Sequence, residues 1–225
     1  MASAPELSGF EKVHRELVER IAAELTPVRR VWPVSTRLWL WILLEAAVLL
    51  LWIWHGYRSD LPEQLRNPWY LLGVVGFTAA ALIAATRALR AAIPGRESSR
   101  LGLILMLALA VSSALLLFHE PIDEQAAIAT FIGRGIPCAT GILILAAIPW
   151  LAMLWAIRRG APLRAAAEGG LAGAAAMLFS FALIRLRCPL DERLHLLVWH
   201  LMPALIGTAL SACLGAVILR RRRPL

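Results

Sequence analysis

Charge is what this chain has least of. Only 17 % of its 225 residues are charged, whereas 60 % are hydrophobic; soluble domains carry about 25 % charged residues. That shortage excludes an ordinary soluble domain, because the pieces between the apolar runs are about 8 to 18 residues long, too short to bury a core of their own. Several catalytic signatures are also missing. There is no CxxC, no HExxH, no Gly-rich phosphate loop and no placeable Ser-His-Asp set, so the sequence gives no support for an enzyme or a cofactor. The GRGIP segment at 133–137 lacks the strand-to-helix context that nucleotide binding needs. A secretory signal peptide is not found either, since the first apolar run starts near Leu38 behind a long charged segment; that run is read as a span.

What the chain has is apolar runs. Crossing a bilayer takes roughly 20 mostly apolar residues, and six segments qualify: about 37–54, 69–89, 101–118, 137–157, 166–185 and 194–219. The expected fold class is all-α, a polytopic membrane protein with a six-transmembrane-helix bundle. A segment at 1–36 precedes the membrane domain at 37–219, and a basic tail at 220–225 follows it.

The net charge of +8 suggests nucleic acid in a soluble protein, but in a membrane protein basic residues are topology signals first. With the N-terminus in the cytoplasm, seventeen of the 23 Lys and Arg residues fall on the cytoplasmic side and six on the other. The positive-inside rule therefore places both termini in the cytoplasm, and no direct nucleic-acid binding is expected. The exported loops are mixed or acidic, as in HEPIDEQ (119–125) and CPLDER (188–193), the second read as a solvated turn.

Within the spans, Gly169 and Gly173, and Gly207, Ser211 and Gly215, recur at four-residue spacing, the pattern of close helix contacts in lipid. Pro149 and Pro203 are expected to kink their helices. Most of the nine tryptophans lie near span ends, Trp199 among them, as an interfacial belt would require. Glu45 sits inside the first span, where a carboxylate is costly and calls for a partner; Arg87 is the candidate.

Before the first span, ELSGFEKVHRELVERIAAELTPVRRVWP begins with a capping box, Ser8 and Glu11. Phe10, Val13, Leu17, Ile21 and Leu25, with Val18 alongside, form one apolar stripe of an amphipathic helix, and Pro27 ends it. Glu16, Glu19 and Glu24, with Glu6 and Glu11, outnumber Lys12, Arg15 and Arg20. Membrane-surface helices carry a Lys/Arg-rich polar face, so a protein partner is favoured over lipid.

Of the three cysteines, Cys138 opens the fourth span and Cys188 closes the fifth, both on the exported side. Three readings stand for the pair: a structural disulfide, a reversible redox or metal-responsive pair, and a thiol-exchange centre, the last weakened by the missing CxxC. Arg134, Arg185, Arg187 and Arg193 make a positive neighbourhood that favours thiolate. His195 and His200 complete a candidate soft-metal set with the cysteines, although residues five apart on an α-helix point away from each other. His119 shares their side. Cys213 lies deep in the sixth span and reads as a small core residue.

The pattern as a whole resembles the NrsF-like membrane anti-sigma factors, negative regulators of extracytoplasmic-function sigma factors in bacteria. The resemblance is carried by LTPVRRVWP, by the cysteine in GIPCATGILILAAIPWLAML, by RRGAPL followed by EGGLAGAAA, and by the RCP…VWH…LG…RRRR order of the last hairpin. It implies a protein of the bacterial inner membrane that sequesters a sigma factor and releases it on a redox or metal stress signal, with Cys138 and Cys188 as the sensing pair. The stripe from Phe10 to Leu25 would then grip the sigma factor. The other reading of six spans is a small-solute or metal transporter, or a membrane metal-binding protein; it needs a polar path that the spans, Glu45 apart, do not offer.

Overall fold

The computed structural model describes residues 7–24, 31–95, 99–121 and 128–220. Every regular element among them is helical. They divide into two units, one ending at Val31 and one running from Trp32 onwards.

The first unit is helix α1, Leu7–Glu24. It covers Ser8 and Glu11 of the expected capping box, and Pro27 lies outside the described residues. Val13, Leu17, Val18 and Ile21 are 50–66 % exposed, and Glu16, Glu19 and Glu24 are exposed beside them. Arg15 and Glu11 form a surface pair at 3.8 Å, worth a few tenths of a kcal/mol, about 0.3–0.5. The side chains of Ser8 and Phe10, and all of Leu25, lie outside the described residues.

The second unit contains six helical segments long and apolar enough to cross a membrane. They are α2 (Val34–Trp54), α4 (Pro68–Ala91), α5 (Arg100–Leu116, extended by a 3₁₀ turn to His119), α6 (Ile128–Arg158), α7 (Ala165–Arg185) and the stretch Arg193–Ile218 that ends in α9 (Met202–Ile218). The short α3 (Leu61–Gln64) lies in the loop after α2, and α8 (Arg193–His195) runs through a π turn, Leu196–Leu201, into α9. Five of the six spans match the apolar runs closely. α6 does not: it starts nine residues before the expected 137 and is 31 residues long, about 46 Å at the α-helical rise and well beyond a hydrocarbon core of ~30 Å. The helix already includes Arg134, so Cys138 lies inside it rather than at its first turn.

α7 is the centre of the bundle. Other helices enclose 78 % of its apolar window, against 17–44 % for the other spans. Its small residues permit this. An added Cβ on Gly169 would stand 2.6 Å from the Cα of Gly215, and the reverse is equally close, so α7 and α9 touch backbone to backbone along the predicted glycine face. Ser211 locks the contact by donating to the Gly169 carbonyl at 2.6 Å while accepting from Trp150 Nε1 at 2.6 Å. On α4, the fully buried Ala80, Ala81, Ala84, Ala85 and Ala88 make a second smooth face.

Each end of the bundle is tied by an arginine. At one end buried Arg37, at the start of α2, donates to the carbonyls of Leu89 and Ala156 at 3.2 Å each. A cation there answers the negative ends of α4 and α6. The starts of α2 and the ends of α4 and α6 therefore share one face, as alternating spans require.

Candidate functional site

The opposite face carries the cysteines. Tyr70 at the start of α4 donates to the Arg185 carbonyl at 2.8 Å, and its ring lies under both Arg185 (4.7 Å) and Arg58 (5.7 Å). Arg58, only 3 % exposed, pairs with Asp191 at 2.5 Å and with Asp60 at 2.6 Å, and donates to the Cys188 carbonyl at 3.0 Å. Arg185 joins Asp191 at 3.1 Å to Glu120 at 2.9 Å. The hydrogen bond from Arg58 holds the Asp60 carboxyl down at about 2. CPLDER is thus no solvated turn: Asp191 is the shared acid of a buried ionic knot, and the knot fixes the backbone of Cys188. Two arginines share three acids here, so Arg58, Arg185 and Asp191 each have two ion-pair partners to offset their desolvation cost.

Sequence reasoning missed this knot. Arg58 and Asp191 are 133 positions apart, and nothing local in either loop marks them as partners. The only hint was a buried-type composition, arginine and aspartate together in short loops beside span ends.

The sulfurs of Cys138 on α6 and Cys188 after α7 lie 3.5 Å apart, and both thiols are free. The Cys138 thiol donates to Cys188 and draws the Cys188 thiol below its ordinary value against the effect of burial, with His195 acting in the same direction. His195 Nε2 lies 3.5 Å from the Cys188 sulfur. His200 meets His195 edge to face, 5.2 Å between centroids, and Phe181 flanks it on the other side at 5.7 Å. One ligand atom from each of Cys138, Cys188, His195 and His200 falls within 4.8 Å of all the others. The expectation that two histidines five apart diverge is overturned by the π turn at Leu196–Leu201, in which bonding to the fifth residue along brings i and i+5 to one face. Pro203 follows directly. It has no N–H to give the Trp199 carbonyl, so an unbroken α register cannot pass this point.

Cys188, His195 and His200 are 5 %, 1 % and 0 % exposed, and neither ring nitrogen of His200 has a hydrogen-bond partner among the described residues. Cys138 is half-buried and opens onto a cleft of about 670 Å³ lined by Trp52, Arg134, Ile184 and Arg187 as well as the two cysteines. Arg187 lies over the Trp52 ring at 4.6 Å. Of the predicted positive neighbourhood, Arg134 and Arg187 thus face the pair, whereas Arg185 is spent on the ionic knot and Arg193 donates to the Phe118 carbonyl. Trp199, expected at the interface, is half-buried. Its ring crosses the backbone of α6 at Gly135, where a Cβ would collide with it, and packs beside Phe131 at 5.7 Å.

Three other expectations are corrected. His119 stacks on Trp69 at 4.8 Å, away from the cluster. Arg87 does not meet Glu45 but donates to the Ser99 carbonyl at 2.5 Å; the Glu45 carboxyl, 1 % exposed, has no hydrogen-bond partner on either oxygen among the described residues. Cys213 is exposed on the outer surface of α9 rather than in the core.

Compared with known proteins, residues 21–220 match the family model described as NrsF, negative regulator of sigma F. No curated protein and no solved structure matches the chain.

Proposed function

Because the chain belongs to the NrsF family of negative regulators of sigma F, a regulatory rather than a catalytic family with a sigma factor as partner, we propose that it is a membrane-bound anti-sigma factor. It holds an extracytoplasmic-function sigma factor at the cytoplasmic face of the bacterial inner membrane and releases it when a redox or metal signal reaches Cys138 and Cys188 on the far side. The basic residues support this orientation by their distribution.

The observation that carries the gripping half is the stripe on α1. Four large apolar side chains, Val13, Leu17, Val18 and Ile21, stand at least half exposed on one helix face, flanked by Glu16, Glu19 and Glu24. An exposed apolar stripe of this kind suits a helix-in-groove contact read through anchors three and four residues apart, and the acidic flank suits a basic partner groove. Much of α1 precedes the matched residues, so the assignment of this helix rests on its chemistry.

The sensing half rests on the cysteine pair spanning two structural elements. Cys138 rides on α6 and Cys188 on the loop fixed by Arg58. A chemical event that changes their separation favours one arrangement of α6 against α7 over another, which is the condition for a signal to bias release.

The test is a sigma-dependent reporter in cells carrying the full chain with Leu17→Asp and Ile21→Asp. Loss of repression with normal membrane levels is the expected result. Repression equal to the parent would remove α1 from the contact.

A further inference from the structure

Two imidazoles accompany the cysteine pair, more than the bonding of a disulfide takes up. A disulfide between Cys138 and Cys188 would consume only the two sulfurs. It would leave His200 fully buried with both ring nitrogens unpartnered, at a cost of about 1–3 kcal/mol for the stranded polar group. The chain nevertheless builds a π turn that brings this histidine to the sulfurs, and π turns concentrate at functional sites.

The geometry points to Cys138, Cys188, His195 and His200 as a four-ligand site for a soft d¹⁰ metal cation of the zinc, cadmium or copper(I) type. Bonds of about 2.3 Å to sulfur and about 2.0–2.1 Å to nitrogen put the edges of a tetrahedral site at about 3.3–3.8 Å. The sulfur–sulfur and sulfur–His195 distances, both 3.5 Å, already have this length, and the widest separation in the set is 4.8 Å. Closing around an ion therefore needs only a contraction of about an ångström. Thiolate and imidazole are the donors such ions select. Binding displaces the two thiol protons to water. With a divalent ion the two thiolates and two neutral imidazoles leave a site of zero net charge, which a buried position tolerates far better than an ion pair left open. The cleft beside Cys138 provides the entry.

The ligands come from α6, from the loop after α7 and from the approach to α9, so capture of an ion ties by metal bonds three elements that otherwise meet through packing and the thiol contacts. In this way the inference deepens the proposed sensing role and rests on that reading only for its consequence in the cell. Ion binding itself stands or falls on the purified protein.

The test uses the full chain, reduced and metal-free in nanodiscs, titrated separately with Zn²⁺, Cd²⁺ and Cu⁺ and with Co²⁺ as the spectroscopic probe. The expected result is one ion per chain, a tetrahedral Co²⁺ spectrum with a sulfur-to-metal charge-transfer band, and a loss of affinity of more than ~100-fold in both Cys138→Ser and His200→Ala. The parent spectrum needs no variant to fold. An octahedral or absent Co²⁺ spectrum, or binding of any of the three ions that persists undiminished in both His195→Ala and His200→Ala, overturns the four-ligand site. A sigma factor that still co-purifies with the chain in that case leaves the anti-sigma reading standing, and a chain that binds the ion but holds no sigma factor separates the two failures the other way.

Discussion

His195 and His200 meet edge to face across a single π turn, with 5.2 Å between ring centroids and 70° between ring planes. In an α-helix the second ring would stand about 140° around the axis from the first. Pro203→Ala returns the N–H that the Trp199 carbonyl lacks and lets the turn relax toward α. The expected outcome is a chain that folds at parental yield but binds Co²⁺ without the tetrahedral spectrum. An unchanged spectrum would show that the π turn is set by packing and not by the proline.

The ionic knot gives a contrast between two acids on one arginine. Asp191→Ala leaves buried Arg58 and Arg185 short of a partner and is expected to cost roughly 3–5 kcal/mol, and added oxidant should join Cys138 to Cys188 in lower yield as the Cys188 loop loosens. Asp60 has a 43 % exposed side chain, so Asp60→Ala should cost less than ~1 kcal/mol. Thermal unfolding in detergent compares the two, and equal losses would contradict the assignment of Asp191 as the shared acid. The depressed carboxyl of Asp60 stabilises the folded state above the unfolded pKa of about 3.9, and that contribution disappears as pH falls toward 2.

Gly169 and Gly215 allow the backbones of α7 and α9 to touch. Gly215→Val must separate the helices, and overpacking of this kind costs about 1–3 kcal/mol. Gly170→Ala is the control, since its Cβ would meet only the Ala212 methyl at 3.4 Å. Similar melting temperatures for the two variants would show that the contact is not tight.

Trp199 and Gly135 predict a coupling. Gly135→Ala pushes the indole off α6 and drags the adjacent His200, whereas in a Trp199→Leu background the same change meets a smaller side chain. A double-mutant cycle on unfolding free energy should therefore give a non-zero interaction term, about 0.5–3 kcal/mol. Strict additivity would rule the contact out.

Glu45→Gln keeps the shape of a buried side chain whose carboxyl has no hydrogen-bond partner among the described residues, and replaces the acid with an amide. Membrane level and repression are expected to match the parent, as immunoblot and reporter would show. A loss of signal response at normal level would give this carboxyl a functional role.

Much of the fold was legible because lipid imposes its own pattern. The apolar runs and the Gly169/Gly215 spacing each follow from a bilayer that offers no hydrogen bonds and no hydrophobic drive between helices. α6 is helical ahead of its expected start because the backbone runs on through Gly133, Arg134 and Gly135, the residues that interrupt the apolar run. The candidate site was half legible. Cys138 and Cys188 were paired by depth, but the convergence of His195 and His200 depended on a wide turn that no periodicity encodes, only Pro203 foreshadowing it. The Arg58–Asp191 pair was illegible because it joins loops distant in sequence. Glu45 and Arg87 show the opposite error: two opposite charges in neighbouring spans invite pairing, yet Arg87 finds its acceptor in the Ser99 carbonyl at the near end of α5.

If this chain keeps a sigma factor at the membrane, the location of that sigma factor must depend on the chain. Fractionation of cells with and without the chain, before and after exposure to cadmium or a thiol oxidant, measures it directly by following where the sigma factor sediments. The sigma factor is expected in the membrane fraction, moving to the soluble fraction on stress or on deletion of the chain and staying in the membrane under stress with Cys138→Ser. A sigma factor that is soluble whether or not the chain is present would contradict that expectation.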